Sequence, residues 1–375
     1  MKKIVFVLSH IPDPRMYRRI IAFKKEFYVS VICIRRTNQN IFVQKDIEGV
    51  KHFVKDMYLP PQSQIFKRFK AFRKYQKFLS DALKEIDPDI IYTEGLDALI
   101  ATNRYSLSHN VKVIYEVADL RECYLKEEPK SFLRKIVDTV ICKREKSVFN
   151  CVTMLVVTSM KFYDVHYKNF FPKVNVYYLP NMPELSAFRS YQPKDHSTSF
   201  TVGFIGGLRY LKQMYLLVDA AKEAKVDVII AGGVVGEADA FMEYCSSMPN
   251  VRILGRYNYD KDIARLYGNM DAIYAVYEAD NANVRIALPN KLYESVYCGL
   301  PIIVAKTTYL SEVVKEWNVG VVVSHKDKND LVQELIKLRD DNLYYNNFVN
   351  SCNSRHRDID INIYLNNLVT TVVNL

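Results

Sequence analysis

Residues 289–304 read Pro289-Asn290-Lys291-Leu292-Tyr293-Glu294-Ser295-Val296-Tyr297-Cys298-Gly299-Leu300-Pro301-Ile302-Ile303-Val304. Pro289 stiffens the chain before a helix, and Asn290 is read as the N-cap of that helix. Gly299 supplies the C-terminal stop, Pro301 follows it, and Ile302–Val304 runs on as a short apolar strand. A helix feeding directly into a buried strand is half of an α/β repeat. Backbone N–H groups at the helix start, Lys291 beside them and Glu294 one turn on suit a nucleoside diphosphate. The N–H groups and the lysine meet phosphates, and the carboxylate accepts hydrogen bonds from ribose hydroxyls. An ordinary capped helix of an α/β domain carries similar caps, so the segment has to be weighed with its surroundings.

Working outward, the same alternation fills the chain. Apolar strand-like runs occur at 4–8, 29–34, 90–93, 111–116 and 154–158, separated by helical spacing at 15–27, 64–86 and 132–149. Around Leu179-Pro180-Asn181-Met182-Pro183 the pattern breaks into a polar stretch. It restarts with a strand at 201–205, a helix at 214–224 and strands at 226–231, 251–254, 272–275, 302–305 and 319–323. The fold class is α/β, with two Rossmann-like domains. The expected division is residues 1–182, a linker at 183–199, a second domain at 200–355, and a C-terminal helix at 356–375 packing back on the first domain. Ligands are expected at the carboxyl ends of the strands.

The 375 residues are 49% hydrophobic, enough to bury two cores, and no run approaches membrane-spanning length. The apolar run Ile4–Leu8 after Lys2 and Lys3 is too short for a signal-peptide core and reads as a first strand. Cysteines 33, 123, 142, 151, 245, 298 and 352 form no C-x-x-C pair, which fits free thiols in a reducing cytosol and no metal site. The net charge of +10 comes with no nucleic-acid module, so nucleic acid is not an expected partner.

Phe204-Ile205-Gly206-Gly207-Leu208-Arg209-Tyr210-Leu211-Lys212 is a strand entering a Gly-Gly turn and then two cations. Glycines let a backbone approach phosphate, and Arg209 and Lys212 neutralise a diphosphate. In the first half, the loop after the first strand carries His10 and Arg15, and Glu94 ends another strand. These three are the expected acceptor-binding residues.

Together these segments make the chain resemble GT-B glycosyltransferases, in particular the large retaining family that builds bacterial surface polysaccharides. The matching positions are Gly206, Gly207, Arg209, Lys212, Glu294, Cys298, Gly299 and Pro301. Val251–Tyr257 resembles the strand and turn before the nucleotide-base pocket. The resemblance implies two domains facing across a cleft and transfer of a sugar from a nucleotide-diphosphate donor, with retention at the anomeric carbon. It also implies that neither a metal nor a cofactor is needed. The donor set it implies is Gly206, Gly207, Arg209, Lys212, Arg256, Tyr257, Asn283, Arg285, Pro289, Asn290, Lys291, Leu292 and Glu294. Two departures stand out. The family often carries a glutamate where Ile286 stands, which leaves Asp280, Asn281, Asn283 and Arg285 as nearby polar groups. It often carries a histidine where Ala118 stands, next to Asp119. Asp119, with Glu116 as the weaker choice, and the diphosphate cations Arg209 and Lys212 form the expected catalytic set.

Between Pro60 and Lys84 lie cations 67, 68, 70, 73, 74, 77 and 84 with a single acid, Asp81, and interleaved aromatics. Ile65, Phe69, Phe72, Leu79 and Leu83 recur at helical spacing and are expected to pack on the sheet. The remaining face of 64–77 suits an anionic leaflet. The expectation is a cytoplasmic enzyme, peripheral on the inner face of the plasma membrane, acting on a glycan or a polyprenyl-diphosphate-linked acceptor. The alternatives are a sugar-nucleotide epimerase of the same architecture and a catalytically degenerate GT-B scaffold.

Overall fold

The computed structural model describes residues 1–38, 45–61, 64–121, 124–125, 132–195, 199–233 and 238–375. Cys123, the side chain of Ile65 and linker residues 196–198 lie outside them. The chain forms two compact units, Met1–Pro180 with Asn362–Leu375, and Asn181–Ile361. The segment read as a linker therefore belongs to the second unit, and the final helix is counted with the first.

The first unit holds strands β1 (Lys3–Leu8), β2 (Tyr28–Arg36), β3 (Lys51–Met57), β4 (Ile90–Glu94), β5 (Lys112–Val117), β6 (Met154–Val157) and β7 (Asn175–Tyr178). They form one parallel sheet in the order β3-β2-β1-β4-β5-β6-β7. Its helices are α1 (Pro14–Phe23), α2 (Ile65–Ile86), α3 (Leu96–Ser106), α4 (Phe132–Phe149) and α5 (Met160–Val165). Strands covered on both faces read as unbroken apolar runs, as in the buried Ile4–Leu8 of β1. The edge strands β3 and β7 are only partly buried and lack such runs, so the sequence pattern does not disclose them. Nor does it disclose α3, on which most side chains are buried because α2 and α4 pack against it. Leu79 and Leu83 pack on the sheet as expected, but Phe69 is 60% exposed.

The second unit repeats the plan with β8 (Thr201–Ile205), β9 (Asp227–Ala231), β10 (Val251–Gly255), β11 (Ala272–Ala275), β12 (Ile302–Ala305) and β13 (Gly320–Val323). These are all parallel, in the order β10-β9-β8-β11-β12-β13. Its helices are α6 (Leu211–Glu223), α7 (Asp239–Ser246), α8 (Tyr259–Tyr267), α9 (Ala282–Ile286), α10 (Asn290–Tyr297), α11 (Tyr309–Trp317), α12 (Lys328–Asp340) and α13 (Asn342–Arg355). The last helix, α14 (Ile361–Val373), meets the first unit, where Tyr177 Oη donates to the Tyr364 carbonyl at 2.7 Å. Each sheet reverses its winding direction beside its first strand, between β1 and β4 and between β8 and β11. Such reversals open a crevice at the carboxyl ends of the strands.

Candidate active site

In the second unit two turns converge at that crevice. Gly206 follows β8 with φ +142°, and a Cβ placed on it would lie 2.9 Å from Lys291 Nζ. Gly232, at the end of β9, has φ +155°, and a Cβ there would come within 1.7 Å of the Gly206 carbonyl oxygen. Only glycine allows these turns to close up, and the space so made is where the lysine of α10 points. Arg256, after β10, lies against Gly233 on the same side, its Nε 3.3 Å from where a Cβ would stand. Two residues far apart in the chain, Gly206 and Lys291, therefore meet at one point.

The structure corrects the cap of α10. Its N-cap is Pro289, with extended backbone, and no side chain caps the helix. Asn290 is the first helical residue, and its Oδ1 is buried with no hydrogen-bond partner among the described residues. The N-terminus of α6, which carries Lys212, likewise has no side-chain cap. Arg209 and Lys212 are exposed. Burial opposes the charge of Lys291, but Tyr277, Glu294 and Tyr257 outweigh it and raise its pKa above the ordinary lysine value. Open N–H groups beside a firmly charged lysine are the elements with which a protein can hold an anion.

Glu294, one turn along α10, is only 3% exposed. Tyr259 Oη donates to its Oε1 at 2.7 Å, and Tyr267 Oη donates to its Oε2 at 2.6 Å. Both tyrosines sit on α8, at its first and last positions. Phe188 packs its ring edge-on against Tyr267 and Tyr297, each with centroids 5.6 Å away. The carboxylate is thus held in a fixed pose, and each oxygen keeps a lone pair for another donor. Sequence reading missed this pair, because two tyrosines at opposite ends of a short helix carry no signal of their own.

Tyr257 is half-buried, and burial raises its pKa although Lys291 opposes the rise. On α9, Asn283 N–H donates to the Asn281 side chain, and Arg285 Nη1 donates to the carbonyls of Ala279 and Asp280 at 3.2 and 2.8 Å. Arg285 therefore ties down the loop after β11. Leu292 is fully buried. Glu278, Asp280 and His325 bring three ligand-type atoms within 4.8 Å of one another. Lys326 Nζ lies 2.5 Å from Asp280 Oδ2 and supplies the opposing charge there.

In the first unit the sheet register sets Glu94 of β4 directly beside Glu116 of β5. Two carboxylates in adjacent positions repel unless cations enter between them. Arg15 and Arg19, one turn apart on α1, do so. Arg15 Nη2 pairs with Glu94 Oε1, and Arg19 Nε donates to Glu116 Oε2 at 2.7 Å. Tyr92 Oη donates to the same Glu116 oxygen at 2.5 Å. Glu116, the weaker of the two expected catalytic carboxylates, is 1% exposed and anchors both arginines. Glu94 lies nearer the surface. Burial and the neighbouring Glu116 raise its pKa, although Arg15 opposes the rise. His10 Nδ1 donates to the Ile11 carbonyl at 2.8 Å, which turns Nε2 to within 3.8 Å of Glu94 Oε2. The three expected acceptor residues thus form one cluster at the β1–β4 reversal. Asp119 is exposed in the bend after β5.

Two parallel sheets with helices, each with a ligand-type crevice at its winding reversal, define the GT-B glycosyltransferase fold with its two Rossmann-like domains. Residues 199–341, less than half of the chain, match the family Glycosyl transferases group 1. Over 265 residues the chain is 23% identical to the succinoglycan biosynthesis protein ExoL of Rhizobium meliloti strain 1021. That match covers 66% of this chain and 63% of the length of that curated relative. Among solved structures it is similar to sucrose-phosphate synthase from Thermosynechococcus elongatus, with TM-score 0.77, 12% identity and coverage of 100% and 99% of the two chains. It is also similar to Anabaena HepE in complex with UDP, with TM-score 0.73, 13% identity and full coverage of both chains. Among the described residues, no helix is long and apolar enough to cross a membrane.

Proposed function

We propose that this chain is a hexosyltransferase that moves a sugar from a nucleoside-diphosphate donor onto a glycan or polyprenyl-diphosphate-linked acceptor during bacterial surface-polysaccharide assembly. The observation that carries the reading is the apposition of Lys291 and Gly206, beside an uncapped helix start. In this reading the diphosphate lies over the Gly206 turn, with Lys291, Arg209 and Lys212 around it. Glu294, aligned by its two tyrosines, takes the ribose hydroxyls. Positive charge held ready for the leaving diphosphate lowers the barrier without a metal ion. The leaving diphosphate accepts the acceptor's proton, and the sugar is transferred with retention. The cluster of His10, Arg15 and Glu94 receives the acceptor. The cations of α2 hold the enzyme at an anionic membrane surface, where a lipid-linked acceptor resides.

The name of the ExoL relative points to polysaccharide building. The uridine diphosphate in the HepE complex makes UDP-sugars the first donors to try. The test incubates purified protein with UDP-glucose and related nucleotide sugars in the presence of a chelator and follows UDP release. Slow release by the wild type, lost in Lys291→Ala, supports the reading. Failure to release or bind any nucleotide contradicts it.

A further inference from the structure

Two loops at the carboxyl edge of the second-unit sheet carry side chains that the proposed function does not use. The loop after β11 brings Glu278 and Asp280, and the turn between β13 and α12 brings His325. Strand β12 lies between β11 and β13, so the side chains meet across two strand spacings, about 10 Å. Both loops are pinned from behind. Arg285 Nη1 donates to the carbonyls of Ala279 and Asp280, and Asn281 N–H donates to the Glu278 carbonyl at 3.0 Å. Gln213, buried on α6, donates through Nε2 to the His325 carbonyl at 3.2 Å. Ser324 N–H donates to Asp330 Oδ2 at 2.6 Å. Contacts other than their own therefore set the three side chains.

The His325 side chain is 11% exposed, and its Nε2 is buried with no hydrogen-bond partner among the described residues. That nitrogen faces Asp280 Oδ1 at 3.6 Å and Glu278 Oε1 at 3.8 Å. Both gaps are too long for hydrogen bonds. They lie close to the separation of about 3.4 Å between neighbouring ligand atoms around a tetrahedral ion with bonds of about 2.0–2.1 Å. A proton on Nε2 reaches neither carboxylate, and a lone pair there faces two anions. A cation between the three atoms resolves both problems. Lys326 Nζ meets the other oxygen of Asp280, Oδ2, and leaves Oδ1 to the cluster. One imidazole with two carboxylates suits ions such as zinc, whereas magnesium and calcium favour all-oxygen sets.

We propose that Glu278, Asp280 and His325 bind a first-row divalent transition-metal ion of the zinc type, with water completing its coordination. The site stands apart from the sugar-transfer chemistry. Its ion ties the loop leading into α9 to the turn leading into α12. No sequence motif announces it, because the ligands sit on loops far apart in the chain.

The experiment is isothermal titration of the full chain with zinc, in a non-chelating buffer without nucleotide and with magnesium as the control. The wild type binds zinc and not magnesium, and zinc raises its melting temperature. His325→Gln and Glu278→Gln bind zinc roughly tenfold or more weakly, as loss of a ligand requires, and their melting no longer responds to it. Lys326→Ala binds zinc about two- to fivefold more tightly, because an exposed opposing charge is gone. A misfolded variant does not gain affinity in this way. A wild type that binds no zinc overturns the site. So does zinc affinity in His325→Gln and Glu278→Gln equal to that of the wild type, which places the ion on other groups, such as His10 with Glu94. Unchanged or weaker binding in Lys326→Ala overturns it too, because Asp280 is then not a ligand.

Discussion

Replacing Tyr267 by Phe removes one oxygen and leaves the ring where it is, edge-on to Phe188. The lost group is the hydroxyl that donates to Glu294 Oε2 at 2.6 Å. A hydrogen bond to a charged partner contributes about 1.5–3 kcal/mol, and the buried oxygen left behind has no water to replace it. No cavity larger than a hydroxyl forms, so packing adds little. For a unit of this size each kcal/mol is about 2–4 °C, so melting falls by roughly 3–12 °C. Tyr259, which is half-buried, loses less on the same change, because solvent reaches the vacated oxygen. Differential scanning calorimetry gives the stability, and isothermal titration with UDP gives the affinity. The Glu294 carboxylate is expected to swing out of its pose, weakening UDP at least fivefold. In a double-mutant cycle, Tyr267→Phe has little further effect on UDP once Glu294→Gln is present. A Tyr267→Phe protein that matches the wild type in both melting and UDP affinity would refute the claim that the tyrosines set the carboxylate.

Other expectations follow from the same geometry. Gly206→Ala puts a methyl group 2.9 Å from Lys291 Nζ at φ +142°, a conformation that costs a non-glycine residue about 1–3 kcal/mol; calorimetry detects that loss, and titration detects weaker UDP binding as the lysine is pushed away. Arg19→Met leaves Glu116 buried beside Glu94 with Arg15 alone to balance two carboxylates, a loss of about 3–5 kcal/mol. Adding Glu116→Gln recovers part of it, which urea unfolding measures. The pKa of Lys291 is raised, so its charge is complete below the ordinary lysine value and is lost only as pH rises through the still higher folded value. UDP affinity therefore stays level from about pH 7 to about pH 9, and a fall within that window would contradict the assignment. Burial pushes the Cys33 and Cys352 thiols up to about 12; at about pH 8 only around one in ten thousand is thiolate, and mass spectrometry after brief alkylation should find both unmodified.

How much of this is legible in the sequence depends on what each residue answers to. Interior strands such as Ile4–Leu8 and Ile302–Ala305 are covered on both faces, so their apolar runs mark them. The edge strand Lys51–Met57 answers to solvent on one side and carries no such mark. The Gly-Gly turn and Pro289–Val304 are legible because backbone geometry demands those residue types locally. Glu116 has the same residue type as Glu94 and the same strand-end setting. Only the register, and the presence of Arg19 one turn below Arg15, separates a buried anchor from a group near the surface. Asn290 reads as a cap, yet the chain enters the helix one residue earlier, and the side chain is left with an unused oxygen.

The central claim is that Lys291 and Glu294, set against the Gly206 turn, bind a nucleoside diphosphate. Isothermal titration of the wild type, Lys291→Ala and Glu294→Gln with UDP tests it most directly. The account predicts one site per chain in the wild type, binding at least tenfold weaker in Glu294→Gln, and no measurable binding in Lys291→Ala with the fold intact by calorimetry. Equal UDP affinity in all three proteins would contradict it.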